Sequence, residues 1–345
     1  MKMKKLLCIA LAAVMVLALA ACGSTTQPSE NGDPTSNPSS EPTANPSSGA
    51  EAAQYVVGIC QQMTHDALDS ATQGFKDALT DILGEGAVEY SEGNAGGEQP
   101  NCVTIIDGLV SENVDLILAN ATWPLQAAYS ATSEIPVLGT SVTDYATALN
   151  IDDWTGTVGG NISGTSDLAP LDQQAAMIQE LFPDAKNVGL LYCSGEPNSV
   201  YQIETIRGYL EEMGYTCEAY AFTDVNDLSS VTQTACDNSD VIYIPTDNTA
   251  AGNAETIANV VLAAGVPVVA GESGICSGCG VATLSIDYYE LGYTTGEMAA
   301  KILTGEADVS TMAVEYAPTV TKMYNAANCE ALGLTMPEDY VAIEG

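Results

Sequence analysis

Seven short stretches gather most of the side chains in this sequence that could do chemistry. They are Gln61-Gln62-Met63-Thr64-His65, Asn94-Ala95-Gly96-Gly97, Asn120-Ala121-Thr122-Trp123, Thr140-Ser141-Val142-Thr143-Asp144, Ser194-Gly195-Glu196-Pro197-Asn198, Thr246-Asp247-Asn248-Thr249 and Gly271-Glu272-Ser273-Gly274. Each precedes a helix or a turn. Small polar residues at such points leave backbone N–H groups and hydroxyls to hold a carboxylate or another small anion. An opposing Asp or Glu can hold an ammonium. Taken singly, Asp247 or Asn248 reads first as a helix cap. The set together reads as a binding cleft.

Catalysis finds little support in the same residues. His65 is the only histidine, so any triad would have to be built around it, and no GxSxG nucleophile elbow is present. His65-Asp66 resembles part of several metal motifs but lacks the second His and the second Asp. No Walker A loop and no GxGxxG follows an apolar strand, which leaves nucleotide binding without a motif. Neither a metal nor a cofactor is expected.

The elements that must position these stretches alternate. From Tyr55, short runs rich in Val, Ile and Leu (55–60, 114–120, 135–141) are separated by segments with apolar residues at helical spacing. Strands that are apolar without alternation suit a parallel sheet covered on both faces. After an irregular stretch at 144–165 the alternation restarts with runs at 187–193, 216–222, 240–245 and 266–272. The second series repeats the first: 113–126 reads NVDLILANATWPLQ and 238–251 reads NSDVIYIPTDNTAA. Two βα series predict two doubly wound α/β lobes with parallel sheets, whose strand-end loops face a crevice between them.

Composition narrows the partners. With 8 Lys+Arg against 45 Asp+Glu and a formal charge of −37, the chain has no basic patch for nucleic acid or an anionic membrane surface. The N-terminus reads as a processing signal, with MKMKK followed by an apolar run and Leu19-Ala20-Ala21-Cys22. That tetrapeptide resembles a bacterial lipobox, which predicts a leader at 1–21 and lipidation of Cys22. Residues 23–54, dominated by Ser, Thr, Pro, Asn and Gly, read as a disordered tether. As a flexible coil the tether would span roughly 30 Å. An exported, lipid-anchored body on the outer face of the cell membrane is the expectation. Beyond Cys22, cysteines stand at 60, 102, 193, 217, 236, 276, 279 and 329. Cys276-Ser-Gly-Cys279 could be a redox pair, half a metal site or a local disulfide, or incidental.

Taken with their order, the motifs resemble a known family. They include His65-Asp66-Ala67-Leu68-Asp69, Asn94-Ala95-x-Gly97-Glu98, Ala121-Thr122-x-Pro124-x-Gln126-Ala127, Val142-Thr143-Asp144 and the run 160–167, GNISGTSD. Glu196-x-Asn198-Ser199, Thr246-Asp247-Asn248, Gly271-Glu272 and Ile286-Asp287-Tyr288-Tyr289-Glu290-Leu291-Gly292 continue the match. This pattern, from Tyr55 to about residue 318, is similar to the ABC transporter substrate-binding lipoproteins of the tryptophan/tyrosine type, within the type I periplasmic binding proteins. The resemblance implies a monomeric receptor that closes two lobes on an aromatic amino acid and delivers it to ABC permease subunits. It implies that Thr122, Ser141 and Thr143 face the α-carboxylate and that Asp247 faces the α-amino group, with Asn198 and Glu272 beside it. Ser166 and Asp167 would lie near the hinge. Gln62, His65, Asn94, Trp123, Glu196 and Asn248 complete the expected ligand shell. Trp123 departs from the smaller residue usual there and could stack on the ring, cover a cation or narrow the pocket. The Cys-containing run 275–280 also departs from the family pattern. The implied organisation is leader 1–21, anchor and tether 22–53, a first lobe of 54–164 plus 287–314, and a second of 165–286 plus 315–345. A ligand-sensing module would use the same cleft, and an extracellular hydrolase is the remaining alternative.

Overall fold

The computed structural model of the chain describes residues 53–317 and 319–343. The leader, Cys22 and nearly all of the tether expected above lie outside them. Strands and helices alternate as the apolar runs predict. The first series is β1 (Tyr55–Gln61), α1 (Asp66–Leu83), β2 (Val88–Asn94), α2 (Gln99–Glu112), β3 (Leu116–Asn120), α3 (Thr122–Ala131), β4 (Val137–Val142), α4 (Tyr145–Leu149) and β5 (Ile162–Ser166). The second is α5 (Leu171–Leu181), β6 (Asn187–Cys193), α6 (Pro197–Glu212), β7 (Thr216–Phe222), α7 (Val225–Asn238), β8 (Val241–Ile244), α8 (Asn248–Ala251), α9 (Ala254–Ala264), β9 (Val268–Ala270), α10 (Ser273–Gly278) and β10 (Ala282–Ser285). The chain ends with α11 (Tyr288–Leu303), β11 (Glu315–Tyr316), β12 (Thr321–Tyr324), α12 (Ala326–Leu332) and β13 (Val341–Ala342).

These strands form two sheets, ordered β11-β5-β4-β3-β1-β2 and β13-β12-β10-β9-β8-β6-β7. Every pairing is parallel except β10 with β12. Helices cover both faces, which is why β3, β4, β8 and β9 are buried at every position. The stretch 144–165, irregular in sequence, supplies α4 and β5. Strand β5 is ISGTS, too small and polar to announce itself. The chain passes from the first sheet to the second after β5, returns after β10, and crosses again after β11.

Two crossings differ from the expected boundaries by two residues. Thr165 and Ser166 pair with Glu315 and Tyr316 inside the first sheet. The strand ladder thus carries the first sheet through Ser166 and takes in Tyr316, where the sequence reading passed to the second lobe at 165 and at 315. Helix α11 belongs with the first half because it lies against α1 backbone to backbone. A Cβ on Gly74 would strike the Tyr289 carbonyl, and one on Gly292 the Ala71 carbonyl. Only glycine permits so close an approach.

Candidate ligand-binding site

The ends of the first sheet finish level. Gln61 pairs with Asn94 on one side and Asn120 on the other, and Asn120 pairs with Thr140. Each loop is tied to the next strand: Gln62 N–H donates to Asn120 O (3.1 Å), Ala121 N–H to Thr140 O (3.0 Å) and Asp167 N–H to Val142 O (3.3 Å). Gln62, Thr122, Ser141, Thr143, Ser166 and Asp167 therefore sit side by side along one edge of the first half. All six are buried.

Backbone strain marks the same edge. Ala121 has φ 98° and Ser141 φ 54°, a region that L-residues with a Cβ seldom occupy. Such residues cost on the order of 1–3 kcal/mol each and persist where the surroundings fix them. At Ser141 the cause is visible, since the β4–β5 register shifts between Gly139 and Val142 and the bulge re-aims the side chain.

Several buried polar atoms here have no hydrogen-bond partner within the protein. They are Gln62 Nε2, Ser141 Oγ and Asp167 Oδ1, with Asn198 Oδ1 contributed by the second half and His65 Nδ1 at the junction. Asn120 Oδ1 on the same edge shares that condition, as do Tyr90 OH, Arg207 Nε and Thr283 Oγ1 elsewhere in the fold. A buried polar group without a partner costs roughly 1–3 kcal/mol. Its clustering at strand ends calls for an explanation by function. Asp167 carries the largest such burden. Its Oδ2 accepts from Tyr288 OH (2.9 Å), while burial pushes its carboxyl up to about 6 against the opposing hydrogen bond from Tyr288.

The acidic residues of the second half are otherwise engaged. Asp247 Oδ2 accepts from Cys193 N–H (2.7 Å) and Oδ1 from Ala250 N–H (2.8 Å), capping α8. Burial and the neighbouring Glu196 carboxylate push its carboxyl up to about 7. Glu272 caps α10 through Gly274 N–H and Ile275 N–H, and burial raises its carboxyl while nearby His65 opposes that rise. Glu196 takes four donors from Asn248 and Thr249. These three carboxylates tie loops together, the capping reading of their residue type. Each oxygen of Asp247, expected to face an α-amino group, accepts one backbone N–H, so the side chain serves as a cap. Asn94 also stands apart: it is exposed, with its side chain closing a turn onto Gly96 N–H and donating to Thr64.

Three contacts join the halves or the crossings. His65 Nε2 lies 3.1 Å from Asn248 Oδ1, Gln202 Nε2 lies 3.5 Å from Thr143 Oγ1, and Tyr288 at the start of α11 holds Asp167. A cavity of about 560 Å³ is lined by residues of both halves, Met63, Pro100 and Trp123 from the first and Cys193, Val225 and Thr249 from the second. Trp123 is half-buried there, its backbone N–H donating to Gln62 Oε1 (3.3 Å). Gln202 and Tyr288 were missed in sequence. Tyr288 follows the end of β10 and obeys the strand-end rule that found the others. Gln202 lies one helical turn beyond Asn198 and could have been found from that spacing.

The profile of the family described as ABC transporter substrate binding protein matches residues 56–343. The chain belongs to that family. A tyrosine-binding protein of Clostridioides difficile (strain R20291) is 32% identical over 253 residues, 73% of each chain. The structure of a Streptococcus pneumonia ABC domain in complex with L-Trp aligns at TM-score 0.79 and 31% identity, covering 84% of this chain and 97% of that one. The ligand-free, open structure of a Clostridium difficile substrate-binding protein with adhesive properties is 32% identical but aligns at TM-score 0.65, covering 84% and 99%. Identity is nearly the same in both cases, so the two differ chiefly in how well they superpose on this chain. As a substrate-binding protein of type I periplasmic architecture, this chain superposes better on the tryptophan complex than on the open form.

Proposed function

We propose that this substrate-binding protein captures an aromatic α-amino acid between its halves and delivers it to an ABC permease. The observation that carries the reading is the set of unpartnered buried atoms from both halves. Gln62 Nε2 and Ser141 Oγ can donate to a carboxylate. Asp167 Oδ1 and Asn198 Oδ1 can accept from an ammonium. Two donors and two acceptors match the two ends of an α-amino acid. The Thr122 N–H at the start of α3 adds a further donor for the carboxylate, since helix N-termini favour anions. Asp167, rather than Asp247, is the ammonium partner in this reading, and Tyr288 holds it in place.

The ring would enter the cavity beside Trp123 and Met63, where aromatic stacking and a thioether contact both favour it. The tyrosine-binding relative and the tryptophan complex support the same ligand class. The resemblance of the N-terminus to a lipoprotein leader supports export, anchoring at Cys22 and work outside the cytoplasm, as a monomer on its tether. In this reading the first lobe runs to Ser166 and regains α11 and β11, and bonds in the ligand are neither made nor broken.

A thermal-shift screen of the twenty amino acids tests the proposal. Tyr, Trp or Phe at 100 times its Kd should stabilise the protein by about 2.7 kcal/mol. A screen in which none of the three moves the melting temperature at millimolar concentration would remove the ligand class.

A further inference from the structure

All eight cysteines among the described residues are free thiols, and seven are buried. Most serve as small apolar side chains or donate weakly to a carbonyl, as Cys329 does to Val281 O and Cys193 to Thr223 O. One pair differs. Cys60 is the penultimate residue of β1 and Cys102 lies in the first turn of α2; both are wholly inaccessible in the core of the first half. Cys60 Sγ lies 4.0 Å from the Cys102 carbonyl oxygen, so the thiol of one cysteine donates to the backbone of the other.

We propose that Cys60 and Cys102 form a disulfide when the chain folds in oxidising surroundings, clamping α2 to the strand that carries Gln61 and Gln62. The timing in the cell rests on the export reading above, whereas the pairing itself does not. Before α2 docks both thiols are reachable and the order of attack between them is interchangeable; in one order Cys102 goes first, as the thiolate. It attacks one sulfur of a donor disulfide, releasing one donor thiolate and forming a mixed disulfide. Cys60 then gives up its proton and attacks Cys102 Sγ, releasing the second donor thiol. Two electrons and two protons pass from the protein pair to the donor, which leaves as two thiols. Because both sulfurs are inaccessible once folded, the exchange precedes the docking of α2.

Cys276 and Cys279, three residues apart in and just after α10, are the chief competitors. The full chain, unfolded and reduced, is refolded in oxidised and reduced glutathione, unfolded again, blocked with N-ethylmaleimide and mapped by mass spectrometry. The expected product joins the Cys60 and Cys102 peptides. Maleimide on both of these residues, or Cys60 linked to any other cysteine, overturns the proposal. The oxidised chain should melt ~5–10 °C above the reduced one. Cys102→Ser should abolish that difference and Cys279→Ser should preserve it; the reverse pattern would also overturn the pairing. Cell fractionation of the full chain reads export separately, so failure of either reading is visible on its own.

Discussion

Replacing Asp167 by Asn tests the ligand reading and the electrostatics together. The carboxylate is buried with one oxygen on Tyr288 and the other without a partner, and burial lifts it from an ordinary 3.8 to about 6. Its folded value lies above its unfolded value. Below about pH 4 both states hold the proton and Asp167 adds no pH dependence. As pH rises through that window the unfolded chain releases its proton first, and stability falls. Above about pH 6 the penalty is fully present, on the order of 2–3 kcal/mol. The Asn variant has no charge to desolvate and can still accept from Tyr288, so ligand-free it should melt several degrees higher at pH 8 and converge with the parent near pH 4. It should also bind an amino acid more weakly by roughly 2–5 kcal/mol, the loss for one partner of a buried charge pair. In the parent, affinity should fall about tenfold per pH unit below about 6, because an ammonium needs the ionised carboxylate. Titration calorimetry and scanning calorimetry on both proteins between pH 4 and 8 read all three effects. Unchanged affinity in the variant, or a variant less stable at pH 8 by an amount independent of pH, would refute the reasoning.

Ala121→Gly should raise stability by about 1 kcal/mol, since glycine accepts φ 98° without strain; a lower denaturation midpoint would contradict this. Asp247→Ala leaves the Cys193 and Ala250 N–H groups unpaired and should destabilise the fold by ~2–4 kcal/mol; an unchanged melting temperature with lost binding would return Asp247 to the ligand. Trp123→Ala should weaken Tyr and Trp by about 1–2 kcal/mol more than any aliphatic amino acid, measured by calorimetry. Gly74→Ala drives a Cβ into the Tyr289 carbonyl and should cost on the order of 3 kcal/mol in chemical denaturation.

Much of the fold is legible because parallel strands buried on both faces leave unbroken Val, Ile and Leu runs such as LLYC and VIYI. Strand β5 escapes because its ISGTS sequence is held by neighbours and by Thr165 Oγ1 contacts to Thr140 and Thr295, not by its own propensity. The strand-end rule brought Gln62, Thr122, Ser141, Thr143 and Asn198 to attention. It could not separate carboxylates left with an unpartnered oxygen from capping ones. Asp167 and Asp247 are the same residue type, each shortly after the end of a strand. What distinguishes them is whether two backbone N–H groups happen to point at the side chain, as Cys193 and Ala250 do for Asp247, and that is a property of packing. The link from His65 to Asn248 spans 183 positions, a separation no local pattern encodes.

The glycine-lined seam between α1 and α11 has a mechanical consequence. Two helices in backbone contact cannot slide or part without opening a void, so they move as one beam. Its end carries Tyr288, which grips Asp167 in the segment by which the chain leaves β5 for the second sheet. The beam therefore ties one flank of the first half to the point where the chain departs from it, and a change at either helix is felt at that carboxylate.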